Sequence, residues 1–88
     1  MAGLKVRVKY LSALRDTTHR RLDELDLPPD SRLSDVAEWL ARTYRLTVPG
    51  PQLLATLNGR GWPQLPDGPA TVLADGDEIA LFPLVSGG

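Results

Sequence analysis

Cysteine is missing altogether from these 88 residues. Its absence excludes disulfides, thiolate metal sites and a cysteine nucleophile, so any sulfur chemistry must be carried by something other than a side-chain thiol. The single histidine, His19, lies in a polar stretch with no second imidazole or thiolate to complete a metal site, and a solvated surface position suits it. Neither sign of charge dominates. Ten basic residues against eleven acidic ones leave a net charge of -1, too little for the electrostatic footprint of a nucleic-acid or anionic-membrane binder. No apolar run approaches a membrane span, and Met1-Ala2-Gly3-Leu4-Lys5 lacks the apolar stretch of a signal peptide, so a cytoplasmic location is expected. Internal repeats and low-complexity tracts are also lacking. Asp75, Asp77 and Glu78 do not have the spacing of a calcium loop, and Gly59-Arg60-Gly61 has no phosphate-loop pattern. No metal and no cofactor are expected on this chain.

What is present is a balance of 42% apolar and 24% charged residues, which belongs to a folded domain and not to a disordered chain. Eighty-eight residues allow one domain with one core. Leu4, Val6, Val8 and Tyr10 alternate with Lys5, Arg7 and Lys9, the period of a strand with one buried face. Ser12 to His19 reads as a polar turn. A weaker alternation over residues 21–27, with Leu25 and Leu27 on one side, then suggests the second arm of a hairpin. Pro28-Pro29-Asp30 stops that arm. Leu33, Val36, Ala37, Leu40 and Tyr44 recur at helical spacing, and Ser31 or Ser34 is a fitting N-cap. Asp35 and Glu38 early in the helix, with Arg42 and Arg45 late, complement its dipole, and the helix should end before Pro49-Gly50-Pro51. Leu53 to Asn58 is too short for a helix. Asn58-Gly59 predicts a hairpin turn after it, with Trp62 beginning the return strand. Pro63 to Ala74 reads as an irregular crossover. It leads to a last strand with Ile79 and Leu81 on one side and Phe82 on the other. One helix over one face of a mixed sheet of four to five strands is an α+β two-layer domain. The first and last strands, being the best patterned, suit central positions.

The last strand runs directly into Leu84-Val85-Ser86-Gly87-Gly88. A glycine pair fills no core and makes a poor helix or strand, but it threads a narrow channel where any Cβ would collide. A free terminal carboxylate launched from a packed strand is the geometry of a carrier. Residues 1–83 are therefore expected to form the domain, and residues 84–88 a flexible tail.

Several segments together carry a resemblance: Leu53-Leu54-Ala55-Thr56-Leu57-Asn58, the turn Asp75-Gly76-Asp77-Glu78, and Ile79-Ala80-Leu81-Phe82-Pro83 leading to Gly87-Gly88. In their strand-helix-strand order they resemble the MoaD/ThiS ubiquitin-like sulfur carriers over nearly the whole chain. Tyr10-Leu11-Ser12-Ala13-Leu14-Arg15 and the tail look most like the MoaD branch, the small subunits of molybdopterin synthases. The resemblance implies a β-grasp fold. It implies that Gly88 is adenylated with ATP by a MoeB-like adenylyltransferase and converted by a sulfur donor to a thiocarboxylate, with Gly87 as its spacer. It also implies that the tail then enters a MoaE-like large subunit in a hetero-oligomer, so the chain is a carrier subunit and not a catalyst alone. Val85 and Ser86 would lie in the channel, although a plain linker role fits Ser86 as well. Phe82 is the expected docking residue, with Leu11 and Trp62 as further members of the same apolar patch. A core position fits Trp62 nearly as well, and packing under a loop is the other reading of Phe82. Leu84 stands where the MoaD-like tail has a second proline, which keeps open a carrier for another pathway, such as thiamine thiazole, cysteine or a specialised metabolite. A protein modifier that joins Gly88 to lysines, and a plain binding module, are the remaining alternatives.

Overall fold

The structure, a computed structural model, describes residues 3–48, 50–51 and 53–83. Five strands form one mixed sheet in the order β2-β1-β5-β3-β4. They are β1 (Leu4–Tyr10), β2 (Leu22–Leu27), β3 (Leu53–Leu57), β4 (Arg60–Gly61) and β5 (Glu78–Pro83). β1 pairs antiparallel with β2 and parallel with β5, and β5 pairs antiparallel with β3. The first and last strands are thus neighbours inside the sheet, as their patterning suggests. Val6, Val8 and Tyr10 from β1, Ala55 and Leu57 from β3, and Ile79 and Leu81 from β5 point to one face. There α2 (Leu33–Tyr44) covers them with Leu33, Val36 and Leu40.

Three local features depart from the sequence reading. The segment read as a turn contains a short helix, α1 (Leu14–Thr18), which buries Leu14 and Thr18. It closes on His19 in the left-handed region, φ 60°, with the His19 N–H bonded to the Arg15 carbonyl. Neither serine caps α2. Arg32 occupies the N-cap, and its N–H is accepted by Asp35 Oδ2 at 2.8 Å. Ser31 is buried and donates its hydroxyl to the Pro28 carbonyl at 2.7 Å, while Ser34 lies inside the helix. The return strand after the Asn58-Gly59 turn is only Arg60–Gly61, and Trp62 opens a 3-10 turn through Gln64. Pro63 has no N–H to continue a ladder, so the chain leaves the sheet there and the indole drops inward. The irregular crossover is present as expected and is tied to the start of α2: Leu33 N–H bonds to Thr71 O and Leu73 N–H to Ser31 O, at 3.0 and 2.8 Å.

The two turns read from sequence form as expected. Asn58 and Gly59 have φ of 51° and 87°, the paired left-handed values of a tight hairpin turn. In Asp75-Gly76-Asp77 the acids serve the backbone. Asp75 Oδ1 accepts the Lys5 N–H and Asp77 Oδ2 the Ala74 N–H, both at 2.8 Å.

Candidate functional site

Alternation along the central strands leaves every second side chain on the face away from α2. On β1 these are Lys5, Arg7 and Lys9. The Leu11 N–H still bonds to Leu81 O at 3.0 Å, so Leu11 continues the same outward series. On β5 they are Glu78, Ala80 and Phe82, and on β3 Leu54 and Thr56. Leu54 and Phe82 are direct cross-strand partners, which brings their side chains into contact range. Leu11, Phe82 and Leu54 therefore line up across β1, β5 and β3 as an apolar stripe. Leu11 is 42% and Leu54 43% exposed, with Phe82 between them half-buried.

The same face changes character along the strands. Toward the start of β5 it carries Arg7 paired with Glu24 at 3.6 Å and Lys9 with Glu78 at 3.1 Å. Exposed pairs of this kind add little stability, but they keep that half of the face wet. The apolar half lies at the other end, where Tyr10, Leu81 and Pro83 bring β1 and β5 to their close.

Beneath that end lies a polar cluster which the sequence reading did not anticipate. Asp23 is only 8% exposed. Its Oδ2 accepts from Tyr10 Oη at 2.7 Å and Tyr44 Oη at 2.6 Å, and its Oδ1 is 3.2 Å from Arg20 Nε. The Tyr10 and Tyr44 rings meet edge to face with centroids 5.6 Å apart, and Trp39 adds a second edge contact to Tyr44 at 5.8 Å. Burial, reinforced by the hydrogen bond to the Asp23 carboxylate, pushes both phenols above their ordinary pKa. The cluster fastens the last turn of α2 to β1 and β2, so the apolar stripe sits over a rigid support. The signal in sequence was Asp23 on the Leu25–Leu27 side of β2, an acid in an inward register.

The sequence-predicted docking residues are thus divided. Leu11 and Phe82 come together, and Leu54 joins them. The run of Leu53, Leu54 and Ala55 hid which members face outward, and only the pairing with β5 separates Leu54 from Ala55. Trp62 is corrected: it is 2% exposed and packed in the core, because the turn at Pro63 directs it inward, so it offers no surface to a partner. Val85, Ser86, Gly87 and Gly88 lie outside the described residues. His19 is exposed in the loop after α1. Among the described residues no three His, Asp or Glu side chains gather to hold a metal ion, and no helix is long and apolar enough to cross a membrane.

Comparison with known proteins agrees with this layout. The model of the ThiS family matches residues 8–88. No curated relative matches by sequence. Among solved structures, the Haloferax volcanii HVO 2177 protein is 27% identical with a TM-score of 0.78, over 99% of this chain and 89% of that one. The putative molybdopterin converting factor subunit 1 of Pyrococcus furiosus is 25% identical with a TM-score of 0.74, over 93% and 99% of the two chains. The small archaeal modifier protein 1 of Methanosarcina acetivorans is 24% identical with a TM-score of 0.78 over the full length of both. The fold is accordingly the ubiquitin-like β-grasp that the sequence resemblance implied.

Proposed function

We propose that this chain, which belongs to the ThiS family, is a sulfur carrier whose Gly88 is adenylated and converted to a thiocarboxylate. In this reading it donates the sulfur in molybdopterin biosynthesis as the small subunit of a molybdopterin synthase. The observation that carries the reading is the position of the apolar stripe. Leu11, Leu54 and Phe82 adjoin Pro83, the last described residue, so a partner seated on them stands directly over the root of residues 84–88. Five extended residues reach at most about 17 Å. A partner's reactive centre within that distance of the stripe is therefore served by the tail without any movement of the domain.

A carboxylate resists nucleophiles because its oxygen leaves poorly. In the proposed sequence a Gly88 oxygen attacks the α-phosphorus of ATP and pyrophosphate leaves. A persulfide sulfur then attacks the acyl carbon and AMP leaves, and a second thiol cleaves the resulting acyl disulfide to free the thiocarboxylate. ATP and the sulfur donor act through a MoeB-like adenylyltransferase. Transfer takes place in a MoaE-like large subunit, which returns the carboxylate. Sulfur rides on the main chain throughout, which suits a sequence with no cysteine. Gly87 is the spacer that passes the narrowest point, Val85 and Ser86 occupy the channel, and Phe82, Leu11 and Leu54 dock. We expect Gly87→Ala to leave the melting temperature unchanged and to slow adenylation by at least about tenfold, since an added Cβ meets the channel wall. Activation at the normal rate would remove the threading argument.

Likeness to an archaeal modifier as well as to a converting factor supports a second reading about equally: a carrier for another acceptor, or a modifier that joins Gly88 to lysines. The species formed after adenylation separates them. The chain is incubated with a lysate of its own source, ATP and a sulfur donor, and the C-terminal peptide is analysed by mass spectrometry with a thiocarboxylate-selective label. Replacing oxygen by sulfur changes the intact mass almost as much as oxidising Met1 or one of Trp39 and Trp62, so the sulfur has to be localised to Gly88 in the peptide. Label on Gly88 that disappears when a MoaE-like subunit and its pterin precursor are added supports the molybdopterin reading. Isopeptide-linked Gly88 supports the modifier. An unmodified Gly88, in a lysate that activates a control carrier, overturns both.

A further inference from the structure

The net charge of -1 conceals an uneven distribution. Because β1 and β5 run parallel while β2 and β3 run against them, one end of the sheet collects Tyr10, Leu22, Leu53 and Pro83. Tyr44 pins the last turn of α2 to the same end through Asp23. Five arginines follow that geometry: Arg15 in α1, Arg20 and Arg21 entering β2, and Arg42 and Arg45 closing α2. Arg15, Arg20 and Arg21 line one open cleft, and Arg45 lines a second depression beside Leu53, the strand partner of Pro83. The acids at this end are Asp16, which lines the first cleft, and Asp23, which is already committed to two phenols and Arg20. Among the described residues, no Asp or Glu lies within salt-bridge distance of Arg15, Arg21, Arg42 or Arg45. The opposite end holds Asp26, Asp30, Asp35, Asp75 and Asp77, with Lys5, Arg32 and Arg60 the basic residues there. The domain is an electric dipole whose positive pole lies at the end of the sheet where β5 closes on Pro83.

We propose that this arginine-rich end is a docking surface for an acidic rim on the enzyme that adenylates the tail. The proposal rests on the reading of Gly88 as the adenylation site. Four exposed guanidinium groups without carboxylate partners attract an acidic surface over about a Debye length, and a dipole whose positive pole lies at the Pro83 end turns that end toward the enzyme before contact. The pole also adjoins the Leu11–Leu54–Phe82 stripe, so a partner meets an apolar centre beside a charged border, the arrangement of a protein interface. A nucleic-acid backbone matches the arginines but not the stripe.

The test compares two charge-matched variants in steady-state adenylation by the MoeB-like adenylyltransferase of the same source. Arg15→Glu/Arg21→Glu reverses two charges at the positive pole, and Lys5→Glu/Arg60→Glu reverses two at the other. At about 50 mM salt the first is expected to raise the KM for the chain about tenfold with little change in kcat. The gap should close to less than about twofold at 0.5 M salt, and the second variant should stay within about twofold throughout. Equal effects from both variants, or no salt-dependent effect from the first, overturn the proposal. So does a KM unaffected by the first variant when that variant abolishes binding to a fluorescent single-stranded RNA. If the first variant melts early, Arg15→Gln/Arg21→Gln is read in the same way with an expected rise of about threefold. Wild-type chain that is not adenylated at all overturns the reading of Gly88 and this proposal with it, whereas adenylation indifferent to the arginines overturns this proposal alone.

Discussion

The two faces of the sheet are made by the same strands, residue by residue in turn, and yet they meet different surroundings. Val6, Val8, Tyr10, Ile79 and Leu81 face α2 and are essentially sealed from water. Leu11, Ala80, Phe82 and Leu54 alternate with the inward residues of the same strands, and Leu11 and Leu54 remain more than two-fifths exposed. Apolar character therefore means stability on one face and, under the proposed function, recognition on the other, and only the parity of the position tells them apart. An exposed apolar stripe at the end of a central strand adds little to folding, which is why the proposed function assigns it to a partner.

Breaking the inner face has the largest expected effect. Val8→Asp places a carboxylate where no water reaches, and burial of an unpaired charge costs more than a small domain can offset. The expected result is loss of the cooperative thermal transition by circular dichroism. A variant that melts within a few degrees of the parent would show the core to be looser than its packing indicates. Next comes Asp23→Ala, which leaves the Tyr10 hydroxyl buried without its acceptor and frees the end of α2. The expected loss is about 2–4 kcal/mol in denaturant melts, and a change below about 0.5 kcal/mol would mean that the cluster merely fills space.

The outer face sharpens the comparison from the other side. Phe82→Ala should weaken binding to the large subunit or the adenylating enzyme by about tenfold or more in calorimetry while costing less than about 1 kcal/mol of stability. If stability falls and affinity holds, Phe82 belongs with the core and the contrast between faces fails. The smallest expected effect is a pH dependence. The pKa of Tyr10 and that of Tyr44 are raised in the fold above the ordinary 10.0. The unfolded chain thus releases phenolic protons near pH 10 while the folded chain retains them. Their contribution is fully present below about pH 10 and declines as pH rises beyond it. Melts between about pH 8 and 11 should show that decline, and Tyr10→Phe should lessen it.

Much of the scaffold was legible because it rests on local periodicity. The alternation of β1, the helical spacing of Leu33 to Tyr44 and the Asn58-Gly59 turn each depend on neighbours within a few residues. The structure has them where the pattern puts them. Phe82 was legible as outward for the same reason. Trp62 was not, because its direction depends on Pro63 ending a strand that Asn58-Gly59 had begun. The capping serines misled because α2 starts one residue beyond Ser31, with Arg32 at the N-cap and its N–H accepted by Asp35, while Ser31 donates its hydroxyl to the Pro28 carbonyl. Leu54 was hidden inside a run with no alternation to read.

The sequence by itself determined the order of the main strands and the main helix and the absence of a cysteine nucleophile, since each follows from residue type and short-range spacing, and its motifs carried the resemblance to the family. Tertiary structure decided what those elements bring together. Asp23 is an acid without a partner in an inward register of β2 until Tyr10 and Tyr44, 13 and 21 residues away, close over it. The five arginines are scattered through residues 15–45 and balanced in any count of charge until strand direction and the seating of α2 gather them at one end. Composition is a sum over the chain, whereas burial and field depend on distance, and distances between remote residues exist only once the chain has folded.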